Sequence, residues 1–281
     1  MKVFAIFVLF ISVAFAYTDW SSVDQLYHPK DVRILRERRI HIGEPVEPHS
    51  IPYQAGTLIE HTPTMVGRSG GSLITPRSVL VAAHCFFSPL TSVTVILGAH
   101  YINRIEDSQQ RFYIDVEEII RHPDYEYDTF NLDLNPNDIA ILVLPYEAIL
   151  NDYVQLAVLP TGEQTEELFT GELATVSGFG RINPGEPWTD DLRSTTNYLI
   201  ENEECQRLLS TFTIHDSNVC AENIGIGSSC GGDCGSPVTI LRDGVRIQIG
   251  LVPIGPPCNQ GFPDLFTRVN PFLDWILENA V

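Results

Sequence analysis

From about residue 70 onward, apolar residues come in short runs rather than in long periodic blocks. Ser78–Ala82, Val93–Leu97, Phe112–Val116, Ile139–Leu144, Ala174–Val176, Val238–Leu241 and Ile247–Val252 are rich in Val and Ile, and turns containing Gly, Pro, Asn and Asp separate them. Short strands at close spacing predict an all-β barrel or sandwich rather than alternating helix and strand. One helix is predicted at the end. Asn270 caps it, Pro271 fits the first turn, and Phe272, Leu273, Ile276 and Leu277 recur on one face. Leu144 to Pro160 reads as a crossing between two halves of the chain.

At 281 residues the chain suits one large domain or two smaller ones, with a full core. Lys2, an apolar stretch from Val3 to Val13, and Ala14-Phe15-Ala16 make residues 1–16 an expected secretory signal peptide, too short to span a membrane. The net charge of −19 is concentrated downstream: residues 40–281 hold −21, with eleven arginines and no lysine. So acidic a surface repels nucleic acid and anionic lipid, which excludes both as expected partners. Six cysteines in a secreted chain point to disulfides. No metal or organic cofactor is indicated.

Three short motifs carry chemistry. His84 lies in Val81-Ala82-Ala83-His84-Cys85 and Asp138 in Asn137-Asp138-Ile139-Ala140-Ile141-Leu142. Cys234 lies in Cys230-Gly231-Gly232-Asp233-Cys234-Gly235-Ser236-Pro237. Acyl transfer from a peptide needs a nucleophile, a base to take its proton, a group that orients the base, and donors for the oxyanion. Together with Ser50-Ile51-Pro52-Tyr53-Gln54, Gly70-Gly71-Ser72-Leu73-Ile74, Ser177-Gly178-Phe179-Gly180 and Phe266-Thr267-Arg268-Val269, these motifs resemble the chymotrypsin-like (S1) serine proteases over about residues 40–281. Gly261-Phe262-Pro263-Asp264 and Phe272-Leu273-Asp274-Trp275-Ile276 are most similar to arthropod chymotrypsins and brachyurin-type collagenases.

The resemblance implies two antiparallel six-stranded β-barrels, a cleft between them and a C-terminal α-helix. It assigns His84, Asp138 and Cys234 to the catalytic positions and the backbone N–H groups of Gly232 and Cys234 to the oxyanion hole. Ser228, Gly255 and Asp264 fall at substrate-pocket positions. Residues 17–39 become a propeptide, and cleavage after Arg39 frees Ile40, whose ammonium pairs with the carboxylate of Asp233. Cys205 matches a disulfide with Cys220, and Cys230 one with Cys258. The family partner of Cys85 would stand at Ser69, so Cys85 and Cys234 are left over, either bonded to each other or as free thiols.

The same comparison exposes departures. Cysteine replaces the nucleophilic serine at 234, and sulfur is larger than oxygen with longer bonds to carbon. Pro253 and Ile254 stand where the family has a serine and a tryptophan, Ser236 replaces a glycine, and Ile42 replaces a glycine after the activation site. The expected protein is a secreted, monomeric endopeptidase homologue of weak or no peptidase activity. It would act by binding a protein or peptide substrate, a protease inhibitor or a partner protease. The alternative is an active secreted endopeptidase with a cysteine nucleophile.

Overall fold

Valine- and isoleucine-rich runs become the strands of two antiparallel sheets in the computed structural model, which describes residues 43–62, 64–126, 135–223 and 227–281. The chain divides into two units, Met1–Arg39 and Ile40–Val281. The first unit lies outside the described residues, and with it the expected signal peptide, the propeptide and Arg39; Ile40 is outside them too.

Strand β1 is the dipeptide Glu44–Pro45. The next seven strands are β2 (Gln54–Thr62), β3 (Met65–Thr75), β4 (Ser78–Val81), β5 (Ser92–Leu97), β6 (Gln110–Ile114), β7 (Ile119–Arg121) and β8 (Ala140–Val143). They form one sheet in the order β6-β5-β2-β3-β4-β8-β7. A 3-10 turn at Val116–Glu118 joins β6 to β7. The two ends of the sheet therefore meet through the chain itself, and that bent segment acts as one stave.

The second sheet holds β9 (Leu173–Gly178), β10 (Arg193–Ile200), β11 (Asn218–Ala221), β12 (Pro237–Arg242), β13 (Val245–Leu251) and β14 (Asp264–Arg268). Strand β9 pairs with both β10 and β12, which closes these six into a barrel, and β1 adds to the outer edge of β10. The two-barrel expectation thus holds, one barrel closed by hydrogen bonds and the other curled. Val93, Val95, Leu97 and Phe112 are buried in the first. Val238, Ile240, Ile249 and Phe266 fill the second. Each such side chain contributes on the order of 2 kcal/mol by leaving water.

Strands β2, β3, β10, β11 and β14 were not among the expected apolar runs. The stretch Gly67-Arg68-Ser69-Gly70-Gly71-Ser72 in β3 carries no long apolar residue, yet Ser69 to Ser72 are buried. The hydroxyls of Ser69 and Thr57 hydrogen-bond at 2.6 Å, while the Ser72 hydroxyl is buried without a partner. A short helix α1 (Asn202–Leu208) was also unforeseen, because its only buried residue is Cys205.

The C-terminal helix differs from expectation at its start. Asn270–Phe272 is a 3-10 turn and α2 runs from Leu273 to Asn279. Asn270 makes no side-chain cap, since its amide donates to the carbonyls of Gln164 and Thr165 at 2.8 and 2.9 Å. Phe272 and Ile276 are buried as predicted, but Leu277 is 74% exposed.

Candidate active site

Strands β4 and β8 pair antiparallel with Val81 opposite Ala140, so the chain just after β4 and just before β8 emerges at one end of the ladder. His84 sits there in the 3-10 turn Ala83–Phe86, and Asp138 lies two residues ahead of β8. One carboxylate oxygen of Asp138 accepts the backbone N–H of His84 at 2.8 Å, and the other accepts Nδ1–H at 2.6 Å. Asp138 is only 3% exposed. A buried carboxylate with both oxygens committed fixes the imidazole's orientation and leaves Nε2 facing outward.

Cys234 comes from the second sheet, in the loop before β12. Its carbonyl accepts Gly70 N–H from β3 at 2.8 Å, which ties the loop to the first barrel. Gly235 makes this approach possible. Its φ is +78°, and a Cβ there would stand 2.5 Å from the Gly70 carbonyl oxygen. Among the described residues, neither Gly232 nor Cys234 donates its N–H to a backbone carbonyl, so both donors expected at an oxyanion hole are unspent.

Both leftover cysteines are free thiols, and the Cys85–Cys234 bond considered above is not formed. The two sulfurs and an imidazole nitrogen of His84 lie within 4.8 Å of one another. Cys85 Sγ is 3.5 Å from His84 Nε2. The base nitrogen therefore meets two thiols instead of one. A hydrogen bond from Cys85 and the charge of His84 hold the Cys234 thiol well below its ordinary pKa, against the opposing effect of burial. Burial first, then the hydrogen bond with Cys234, push the Cys85 thiol well up. For His84, burial disfavours the cation, but Asp138 and Cys234 together outweigh it and keep the imidazole charged well above its usual range. Both shifts act in the direction that favours a thiolate beside an imidazolium.

A cavity of about 340 Å³ opens beside Cys234. Gly255, Asp264, Pro253, Ile254 and the Cys230–Cys258 disulfide line it. The other expected disulfide, Cys205–Cys220, pins α1 to β11. Nothing stands within 4 Å of where a Gly255 side chain would begin, so that glycine keeps the cavity open. Asp264 accepts a hydrogen bond from the Ser229 hydroxyl at 3.3 Å, while its second oxygen is buried without a partner. Burial pushes this carboxyl well above its ordinary pKa, and a cation entering the cavity would reverse the shift.

The Ser228 hydroxyl accepts the N–H of Asn259 at 2.9 Å, and Ser228 lines a second, smaller cavity with Gly43, Gly178 and Asp233. Its neighbour Ser229 lines both cavities and hydrogen-bonds Asp264.

Asp233 accepts N–H groups from Gly180 at 2.7 Å and Cys230 at 3.0 Å. No cation pairs with it among the described residues, and burial lifts its pKa to about 6. The family's Trypsin model matches residues 40–276.

The chain belongs to the trypsin family. Chymotrypsin of Phaedon cochleariae is 35% identical over 85% of this chain and 81% of the relative. Collagenase of Hypoderma lineatum is 32% identical over 98% of both chains. A solved structure of HL collagenase superposes with a TM-score of 0.72 at 32% identity, covering 85% of this chain and 97% of that one. Against these trypsin-family relatives the two-barrel fold is the shared scaffold.

Proposed function

We propose that this trypsin-family chain is a secreted endopeptidase homologue whose cleft binds polypeptide but cleaves it weakly or not at all. The observation that carries this reading is the second sulfur at the base: Cys85 Sγ stands 3.5 Å from His84 Nε2, the nitrogen that must exchange protons with the nucleophile and leaving group. A thiolate stabilised by both Cys85 and His84 gives up less energy on attack, and the imidazolium's proton is held by a pair that rests contentedly without substrate. Sulfur also places the acyl carbon farther from donors spaced for oxygen, and a misplacement near 1 Å costs on the order of 100-fold in rate.

His84, Asp138 and Cys234 take the base, orienting and nucleophile positions, and the Gly232 and Cys234 amides face the oxyanion. Ser228, Gly255 and Asp264 form the pocket for the residue before the cut bond, Ser229 hydrogen-bonds Asp264, and the unpaired oxygen of Asp264 suits an Arg or Lys side chain. Residues 1–16 direct secretion and residues 17–39 are removed by cleavage after Arg39. Three residues from Ile40 to Gly43 span about 10 Å when extended. Gly43 lines the cavity that also holds Asp233, so the freed ammonium of Ile40 is within reach of that carboxylate. Burial without a cation is what holds Asp233 near 6 and primes it for such a partner.

A second reading, an active cysteine-nucleophile endopeptidase, is favoured by the 2.6 Å contact between His84 and Asp138 and by the lowered Cys234 thiol. Binding tests the leading reading. A polypeptide protease inhibitor presenting Arg or Lys is titrated calorimetrically into the chain cut after Arg39 and into its Gly255→Leu variant. The native chain is expected to bind it and the leucine, which fills the cavity, to weaken binding at least about tenfold, or roughly 1.4 kcal/mol. Equal binding by both, or none by either, would remove the cleft from the account.

A further inference from the structure

Four of the six cysteines are spent in the two disulfides, and the remaining two converge on one imidazole. Cys85 is available because Ser69 stands at the place of its family partner and bonds Thr57 through its own hydroxyl. The outcome is two sulfurs and one ring nitrogen within 4.8 Å of one another, drawn from separate barrels. From these distances we infer that His84 Nε2, Cys85 Sγ and Cys234 Sγ form a Zn2+ site of the two-thiolate, one-imidazole type, with its fourth position open to the cleft.

The distances suit that ion. Bonds of about 2.3 Å to sulfur and 2.0–2.1 Å to nitrogen at tetrahedral angles separate a sulfur from a nitrogen by about 3.6 Å. Cys85 Sγ and His84 Nε2 are 3.5 Å apart before any ion enters. The same geometry separates two sulfurs by about 3.8 Å, which lies inside the 4.8 Å span of the set. The support behind the ligands fits as well. A zinc-bound imidazole commonly passes its other N–H to a carboxylate, which fixes the ring and strengthens the ligand. Asp138 already accepts Nδ1–H of His84 at 2.6 Å and holds the same residue's backbone N–H at 2.8 Å. Soft sulfur ligands select zinc over magnesium or calcium, and the strongly acidic chain draws cations toward it.

The site goes beyond the reading of a weak peptidase and stands whether or not the chain cleaves peptides. A bound Zn2+ occupies both the base nitrogen and the nucleophile, so it closes the proton-transfer route between them. The fourth position, on the side of the 340 Å³ cavity that Cys234 lines, is left for water or for a carbonyl or carboxylate oxygen of a bound polypeptide.

Cobalt reports the geometry directly. Co2+ is titrated into the full-length chain, kept under a mild phosphine reductant that leaves the two disulfides intact, and the absorbance is followed. One equivalent should saturate a thiolate-to-cobalt charge-transfer band with tetrahedral ligand-field bands, and Zn2+ should displace it stoichiometrically. Bound metal should protect two thiols from alkylation, mapped to Cys85 and Cys234. Cys85→Ser and Cys234→Ser should each abolish saturation by one equivalent, and Asp138→Asn should weaken binding about 10–100-fold. Should a variant not fold, reversible methylthiolation of the native chain's two thiols replaces it: binding must vanish with the caps and return on their removal. Absence of a saturable band in the native chain overturns the site. So does saturation that survives loss or capping of either thiol, or a Cys85–Cys234 disulfide that persists under the reductant.

Discussion

Cys234 takes its character from two neighbours, and each can be removed singly. The hydrogen bond from Cys85 is the leading cause of its low pKa and the charge of His84 the next. Iodoacetamide should therefore modify Cys234 at about pH 6, where an ordinary thiol near 9 is almost inert, while Cys85, pushed the other way by burial, stays unmodified. Cys85→Ala should move the Cys234 alkylation midpoint toward higher pH. Peptide mapping of the modified chain decides it, and an unshifted midpoint near 9 in both proteins would contradict the ion pair. How much of this was legible beforehand depends on the residue. His84, Asp138 and Cys234 announce themselves because their motifs are short and contiguous. The contact of Cys85 with the imidazole is only half legible: adjacency to His84 and an absent partner place the thiol nearby, but the direction of its side chain toward Nε2 is a matter of the 3-10 turn's geometry. The hydrogen bond from Ser229 to Asp264 was not legible, because it joins residues 35 positions apart.

Among the elements, the join between β3 and the start of β12 carries the most consequence. A Cβ on Gly70 would lie 1.9 Å from the Ser236 hydroxyl and 2.9 Å from its Cα. Gly70→Ala should cost about 1–3 kcal/mol through overpacking, read as a drop in denaturant midpoint. The Ser236 hydroxyl is buried without a partner, so Ser236→Gly should be close to neutral as a single change and should recover part of the Gly70→Ala loss. Recovery in the double variant is the informative result; strict additivity would show that the crowding lies elsewhere. Strands β4, β5, β8, β12 and β13 were readable from sequence because their burial comes from Val, Ile and Leu. Strand β3 was not, because its buried Gly and Ser residues carry no apolar signal. The terminal helix was legible as an element but not in its first turn, where Asn270 is drawn away to the carbonyls before Glu166 and the helix begins later.

Over the whole molecule, Asp233 links the expected processing of the chain to its stability. Its carboxyl rises from 3.8 to about 6 on folding. A raised acid favours the folded state fully below its unfolded pKa, and that contribution is lost as pH climbs through about 4 to 6. Relative to Asp233→Asn, the uncut chain should therefore lose melting temperature across this window. After cleavage at Arg39 the order should reverse, because a paired carboxylate outperforms the amide; calorimetry of both forms at about pH 4 and pH 7 tests the sign. An unchanged ranking after cleavage would disconnect Ile40 from Asp233. The fold as a whole was the most legible level, since many motifs spread over residues 40–281 all required it, whereas activity turns on how two sulfurs share one nitrogen. That sharing is the centre of the account, and steady-state hydrolysis of peptide amides by the chain cut after Arg39 addresses it most directly. The native protein should show kcat/KM below roughly 100 per molar per second, at least about 100-fold under the ordinary enzyme range. A value inside that range, about 10⁴ to 10⁸, that disappears in Cys234→Ala and on thiol alkylation would contradict it.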